Sequence, residues 1–361
     1  MKAEKDKGTG KWLIQYRYRD WQGIVHKSTK RGFQTKRDAE DWLRNFLLKQ
    51  DRNFDMQFSD FTALYFEDMA ARLREHTIMN KQYIVKNKIL PYFGAMRISE
   101  IMPVHIRKWQ TELISKGYTD TYLKTINNQL NAIFNYAVRY YGLQSNPCRI
   151  AGSMGKGKAG EMNFWTLEEF NKFEERISIH RDSRIAFSIL FWTGMRIGEL
   201  LALTVGDVDL DRNEISVTKS YQRIRGRDVI TPPKTPKSIR TIAIPAFLSG
   251  DIRAFLKDKN KNDPEDPLIT VSKSILEKVM KSGTETSGVK KIRIHDLRHS
   301  HASMLIELGF SAKEIADRLG HEKVETTLNT YSHLYPKKQE KIAERLDRYG
   351  RENKDHKKLI S

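Results

Sequence analysis

Cysteine is almost absent from this sequence: one residue, Cys148, in 361. A lone thiol forms no internal disulfide and supplies no cysteine-rich zinc site, so a reducing compartment fits the chain. Cys148 lies in the turn-like Ser145-Asn146-Pro147-Cys148 and is assigned no chemistry. Long apolar runs are lacking too. The longest, Ile185 to Trp192, is far short of the roughly 20 residues that span a bilayer, and no membrane partner is expected. The charged start, with Lys2, Glu4, Lys5, Asp6 and Lys7, does not read as a signal region. Acidic residues are in deficit: 45 Asp plus Glu face 64 Lys plus Arg, a formal charge of +19. A surplus of that size attracts polyanions, of which DNA is the commonest; the bland alternative is a solvated basic surface. The hydrophobic share, 39%, excludes a disordered chain, and the length allows two or three domains with cores of their own.

Residues 1–54 carry eight Lys, six Arg and seven acidic residues, a net of +7. Trp12 to Arg19 alternates and is rich in aromatics, which reads as a strand, and Ile24 to Lys30 as a second, with Trp21-Gln22-Gly23 as the hairpin turn between them. Gly32-Phe33 allows a further bend. Thr35 and Asp38 then cap a helix with Trp42, Phe46 and Leu47 on its apolar side. A small sheet with Arg17 and Arg19 on its outer face suits a DNA groove, or equally a solvated basic face. Residues 55–150 read as four helices, Asp60 to Arg74, Thr77 to Leu90, Pro103 to Lys116 and Thr119 to Tyr141, packed as a bundle with a basic side that includes Lys81. Thr119, Thr121, Tyr122 and Lys124 open the last helix, where such side chains suit phosphate contacts or simple capping. Residues 151–162, rich in Gly and Lys, read as a flexible, extended, cationic linker.

Residues 163–336 mix helices (Thr166 to Arg176, Ser183 to Trp192) with strands (Glu214 to Lys219, Val229 to Thr231, Ile239 to Ile244). Residues 337–361 form a charged tail whose Ile342, Leu346 and Tyr349 make a narrow stripe for docking on a partner. Four segments in this part carry the chemistry. In Thr193-Gly194-Met195-Arg196-Ile197-Gly198-Glu199, Gly194 breaks the chain after a buried helix and Arg196 opens the next, where its donors can meet a phosphate; Glu199, one turn on, can orient the guanidinium. Pro233-Lys234-Thr235-Pro236-Lys237 lies between strand-like runs and reads as a hairpin tip. In His295-Asp296-Leu297-Arg298-His299-Ser300-His301, His295 and Arg298 share a helix face, with Leu297, Met304, Leu305 and Leu308 turned to the core. Ser311 and Glu314 form a capping box on a helix that ends near Gly320, which sets His321 just past its C-terminus, one short helix before Tyr331.

Read singly, Tyr331 is a buried aromatic, Arg196 a partner of Glu199, and His299, His301 and His333 structural. A metal site on His295, His299 and His301 lacks a nearby Cys and a His-Glu-x-x-His pattern, so none is assigned. Taken in order, Thr-Gly-Met-Arg, His-Asp-Leu-Arg-His, Leu-Gly-His and Thr-Thr…Tyr-Ser-His resemble the tyrosine recombinase (phage integrase) family, with an arrangement similar to integrases of temperate phages and conjugative transposons. The resemblance implies a multidomain, mainly α chain: a small N-terminal β-sheet-plus-helix domain binding arm-type DNA, a four-helix core-binding bundle, and a mixed α/β catalytic domain. It implies Tyr331 as nucleophile, Arg196 and Arg298 as phosphate clamps, Lys234 (or its neighbour Lys237) as proton donor to the 5′ oxygen, His295 assisting proton transfer and His321 bonding the phosphate. It further implies no cofactor, double-stranded DNA with core-type and arm-type sites, a homo-tetramer on DNA, accessory bending or excision factors, and the bacterial cytoplasm or nucleoid. Two other readings stand beside it: a type IB topoisomerase-like enzyme, and a non-catalytic DNA-binding regulator.

Overall fold

In the computed structural model the described residues are 3–6, 8–19, 25–50, 56–157, 162–233, 235–334 and 346. The chain divides into two compact units, residues 1–160 and 161–361.

The first unit opens with an antiparallel sheet of three strands, β1 (Ala3–Lys5), β2 (Trp12–Arg19) and β3 (Val25–Phe33), in the order β1-β2-β3. Period-two alternation sends Ile14 and Tyr16 inward and leaves Arg17 exposed. The inward face is covered by α1 (Lys36–Gln50) through Ala39, Leu43 and Trp42, whose ring meets Tyr16 edge-on at 5.3 Å. Thr35 and Asp38 cap α1 reciprocally, each side chain accepting the other's backbone N–H at 3.1 Å. Phe33 belongs to β3 and no bend interrupts the strand before it, because Phe33 pairs with Trp12 beside a bulge. The expected turn at residues 21–23 and the side chains of Arg19, Phe46 and Leu47 lie outside the described residues.

The bundle follows: α2 (Phe58–Ala70), α3 (Glu75–Ile84), a π-helical stretch Val85–Ile89, α4 (Leu90–Phe93), α5 (Pro103–Ser115), α6 (Asp120–Tyr140) and α7 (Pro147–Ala151). The single helix expected from Thr77 to Leu90 is thus a longer, broken one. Pro91 explains the break: it has no N–H to return to the preceding turn, and the widened turn instead lets the Leu90 N–H reach the Val85 carbonyl. Leu123, Ile126, Leu130, Ile133, Phe134 and Ala137 form the buried stripe of α6 against Phe58, Phe61, Ile106 and Trp109. The start of the expected linker is packed rather than free. Met154 is buried in the bundle core, and the Gly152 carbonyl accepts from the buried Gln110 at 2.8 Å. An apolar side chain at 154 and a backbone acceptor at 152 outweigh the Gly/Lys composition that pointed to a free segment.

The second unit comprises α8 (Leu167–Arg176), α9 (Arg181–Thr193), α10 (Ile197–Leu200), β4 (Val208–Asp209), β5 (Glu214–Val217), β6 (Ser220–Ile224), β7 (Arg227–Thr231), β8 (Arg240–Ala243), α11 (Ala246–Asp258), α12 (Lys273–Ser287), α13 (Asp296–Glu307), α14 (Ala312–Leu319) and α15 (Val324–Tyr331). Strand order is β4-β5-β8 in one sheet and β6-β7 in another. This corrects the hairpin-tip reading: the segment bearing Lys234 joins β7 to β8, which lie in different sheets, while the β6–β7 turn falls at Arg225-Gly226. The run from Glu214 to Lys219 hides a sheet change, because Val217 ends β5 and Ser220 opens β6. The core gathers Phe170, Phe173, Phe187, Phe191, Leu190 and Leu297 around the buried α9, with Phe170 and Phe191 stacked at 3.9 Å. Leu308, expected in the core, is 67% exposed, since α13 ends at Glu307 and the chain turns away.

Candidate active site

Three chain breaks converge beside α13. Gly194 closes α9 at φ 65°, Gly320 closes α14 at φ 71°, and Arg196 stands at the start of α10. Only a residue without Cβ fits at 194: a Cβ there would lie 2.7 Å from the His301 ring and from Leu319. Arg298, on the first turn of α13 and 3% exposed, joins the two breaks. Its Nη1 donates to the Gly194 carbonyl at 2.9 Å and its Nη2 to the Leu319 carbonyl at 2.8 Å. Both acceptors are helix C-terminal carbonyls, where partial negative charge favours a cation. Burial, then the charge of Arg196, pushes this guanidinium down to about 9, so it remains charged at neutral pH.

Glu199 does orient Arg196, as its spacing predicts. Arg196 Nη1 donates to Glu199 Oε1 at 2.7 Å, and its backbone N–H to Oε2 at 2.9 Å. A second cation that sequence reasoning missed shares this carboxylate: Arg240 Nη2 donates to Oε2 at 3.0 Å, and its other nitrogens hold the Arg318 and Ser238 carbonyls. Burial opposes the charge of Glu199, but Arg240 and Arg196 outweigh it and hold the carboxyl below its ordinary range. No helical spacing links residues 199 and 240. Only the pairing of β5 with β8 brings β8 to this place, which is why the sequence concealed it.

Tyr331 closes α15 and is 1% exposed, packed with Ala302, Ile306, Ile315 and Leu319. Its hydroxyl lies 2.7 Å from His299 Nδ1, and burial pushes the phenol up to about 12 against the lowering charge of Arg298. His299, read from the sequence as structural, therefore touches the residue expected to be the nucleophile. Burial, then His295, pushes His299 down to about 4. His295 caps α13, and its ring lies at 5.5 Å and 89° to that of His299. Desolvation and then the Arg298 charge lower it. Just past Gly320 the His321 backbone N–H donates to the Ala316 carbonyl at 2.9 Å, while its Nδ1 lies 2.8 Å from Thr327 Oγ1. Burial, then Arg298 and Arg196, pushes it down to about 4. His301 is fully buried and accepts from Arg318 Nε at 2.9 Å, a structural role.

The structure thus places Arg196, His295, His321 and Tyr331 within reach of the charge of Arg298, and His295 and His321 within reach of Arg196 as well. Lys234 and the side chain of His333 lie outside the described residues. Lys237 sits in a 3-10 turn, Pro236–Ser238. Of the residues expected to contact DNA in the first unit, Arg17, Thr119 and Thr121 are exposed. Thr119 stands at the N-cap position of α6 without a side-chain capping bond, with Tyr122 and Lys124 half-buried one turn on. Lys81 instead turns into the bundle: its ammonium donates to Gln129 Oε1 at 2.9 Å, and burial lowers its pKa.

Fold and site together place a buried tyrosine beside a cluster of arginine and histidine. Comparison with known proteins agrees. The Phage integrase family matches residues 162–338, its N-terminal SAM-like domain residues 57–114, and an arm DNA-binding domain residues 3–50. The ICEBs1 integrase of Bacillus subtilis (strain 168) is 32% identical over 309 residues, covering 81% of this chain and 83% of the relative. The integrase of Mycobacterium phage L5 is 29% identical over 338 residues, covering 85% and 87%. Among solved structures, the Tn1549 transposon integrase in complex with a circular intermediate DNA superposes with a TM-score of 0.67 at 19% identity, covering 80% of this chain and 99% of that one. A lambda integrase tetramer bound to a Holliday junction gives 0.57 at 16%, covering 87% and 94%. The chain belongs to the phage integrase family: it is a tyrosine recombinase, a site-specific enzyme of DNA strand breakage and rejoining.

Proposed function

We propose that the chain integrates and excises a mobile element, cutting one strand at a time through Tyr331. The phenol oxygen attacks phosphorus, the Tyr331 O–P bond forms, and the P–O5′ bond breaks, leaving a 3′-phosphotyrosyl link. Arg196 and Arg298 hold the non-bridging oxygens by charge-assisted bonds, and His321 adds one more. Lys234 gives the departing 5′ oxygen its proton. His295, in the midst of the arginines, assists the tyrosine's proton transfer, which a phenol with an ordinary pKa of about 10 requires at pH 7. The phosphotyrosyl bond conserves the energy of the bond that was cut, so rejoining calls for no ATP and no cofactor.

The observation that carries the reading is Tyr331 lying under the charge of Arg298, whose guanidinium is already fixed by two carbonyls. The basic first unit supports contact with two kinds of duplex site: a core-type site for residues 55–150 and an arm-type site for residues 1–54, which carry a net of +7. The catalytic unit is assigned to residues 163–336, the linker to 151–162 and a docking tail to 337–361. Four strands must be cut in a full exchange, which supports a tetramer on DNA aided by bending or excision factors. No helix among the described residues is long and apolar enough to cross a membrane, in keeping with action in the bacterial cytoplasm. A nicked core-site duplex traps the covalent intermediate: the protein should give a denaturant-resistant protein–DNA band. Exchange between paired sites separates this reading from relaxation by a topoisomerase-like enzyme. A protein that only binds, giving no band, is a regulator instead.

A further inference from the structure

The mechanism above uses His295 and leaves a second imidazole idle beside the reacting atom. We infer that His299 is itself catalytic: its Nδ1 takes the proton from the Tyr331 hydroxyl during attack and returns it when the DNA strand is resealed. The inference deepens the recombinase reading and rests on it.

Geometry carries the argument. His299 Nδ1 and Tyr331 Oη are 2.7 Å apart, inside the range a general base needs. The two rings meet edge-on, centroids 5.6 Å apart at 63°. The groups facing His299 are those of its own helix (His295, Asp296, Arg298), Arg293 just before it, His321 beyond α14 and Tyr331 on α15. Burial first, and then these mostly cationic or histidine neighbours, keep the ring neutral with a lone pair to offer. In the tautomer with the ring proton on Nε2, Nδ1 is the acceptor and the phenol O–H the donor in this bond. His295 lies one turn away with its ring perpendicular to that of His299, among the arginines assigned to the phosphate. It is the next ring outward from the phenol.

The proton balance is simple. In cleavage the phenol proton moves to His299 Nδ1 as the Tyr331 O–P bond forms, and a separate proton reaches the 5′ oxygen as P–O5′ breaks. In resealing both transfers reverse.

The test measures single-turnover cleavage of a nicked core-site duplex by the full chain. His299→Asn places an amide oxygen near the Nδ1 position: it can accept the hydrogen bond yet cannot take the proton. The variant should keep thermal stability and DNA affinity and lose cleavage by roughly 10²–10⁴-fold. Replacing Tyr331 by a fluorinated tyrosine, whose phenol gives up its proton more readily, should shrink that deficit. A substrate with sulfur in place of the 5′ bridging oxygen, which leaves without an acid, should rescue Lys234→Ala and leave His299→Asn impaired. Wild-type cleavage by His299→Asn, a deficit indifferent to fluorination, or rescue by the sulfur substrate would each overturn the role. If the unaltered chain gives no covalent adduct, or Tyr331→Phe still gives one, the recombinase reading fails in place of this inference.

Discussion

The cations of the N-terminal sheet and those of the catalytic unit are the same residue types put to opposite use. On the sheet, Arg17 is exposed and Arg31 makes a loose pair with Asp6 at 3.9 Å. Around α13, Arg298 is 3% exposed and Arg240 nearly as enclosed, and each is fixed by backbone carbonyls or by Glu199. Exposed charges act at range, are screened by salt, and contribute little to folding. Enclosed charges cost desolvation and must be fully bonded; what they give in return is a fixed direction. Under the proposed function, one set would recruit a polyanion and the other would hold a single phosphate.

Changes at Tyr331, in pH, at Glu199 and at Arg17 probe that contrast, beyond the His299 test. Tyr331→Phe should remove the covalent protein–DNA band altogether and leave DNA affinity unchanged, since the ring keeps its packing and loses only the hydroxyl; gel shift and denaturing gel read the two effects. Acid should come next. His299 and His321 are pushed down to about 4 and His301 to about 3, against an ordinary 6.5, so the unfolded chain binds protons that the folded one refuses. Stability should therefore be full above 6.5 and fall as pH drops toward 4, by at most about 1.4 kcal/mol per pH unit for each imidazole. Urea unfolding across that range measures the slope, and His301→Asn should flatten it.

Glu199→Ala strands Arg240 in the interior and frees Arg196. The cost should be about 3–5 kcal/mol in unfolding free energy, with cleavage falling as well. Glu199→Gln should lose less, and its deficit should fade as pH falls below 4.5, because the wild-type carboxylate is stabilising above that value and loses its advantage as it protonates. Arg17→Ala should do least: stability within about 0.5 kcal/mol of the parent, and a salt dependence of arm-site binding shallower by about 0.9 in log–log slope if one phosphate contact is lost. A stability loss at Arg17 equal to that at Glu199 would erase the contrast.

Much of the site is legible in the chain because it depends on local rules. Gly194 and Gly320 as helix stops, Ser311–Glu314 as a capping box, and Arg196 with Glu199 one turn on are all short-range patterns, and each stands where its spacing puts it. What the sequence conceals is long-range. Arg240 reaches Glu199 through strand pairing, and His299 meets Tyr331 because α15 folds back over α13, a contact spanning 32 residues. The segment bearing Lys234 looked like a hairpin because two strand-like runs flank it; which strands pair is decided by the β4-β5-β8 sheet, far from that segment in sequence. Lys81 shows the converse, a residue typed as surface by its charge and drawn inward by Gln129.

Arg298 performs two jobs with one planar group. Two of its five N–H bonds rivet the ends of α9 and α14 together, and in the proposed reaction the same guanidinium also clamps the phosphate. Assembly and chemistry are thereby welded at one residue, so a crippled variant at 298 cannot tell an experimenter which of the two was broken. Lysine carries its donors on a single nitrogen and lacks the planar fork with which two separate nitrogens reach the two carbonyls. Drift at this position is closed to the chain from two sides.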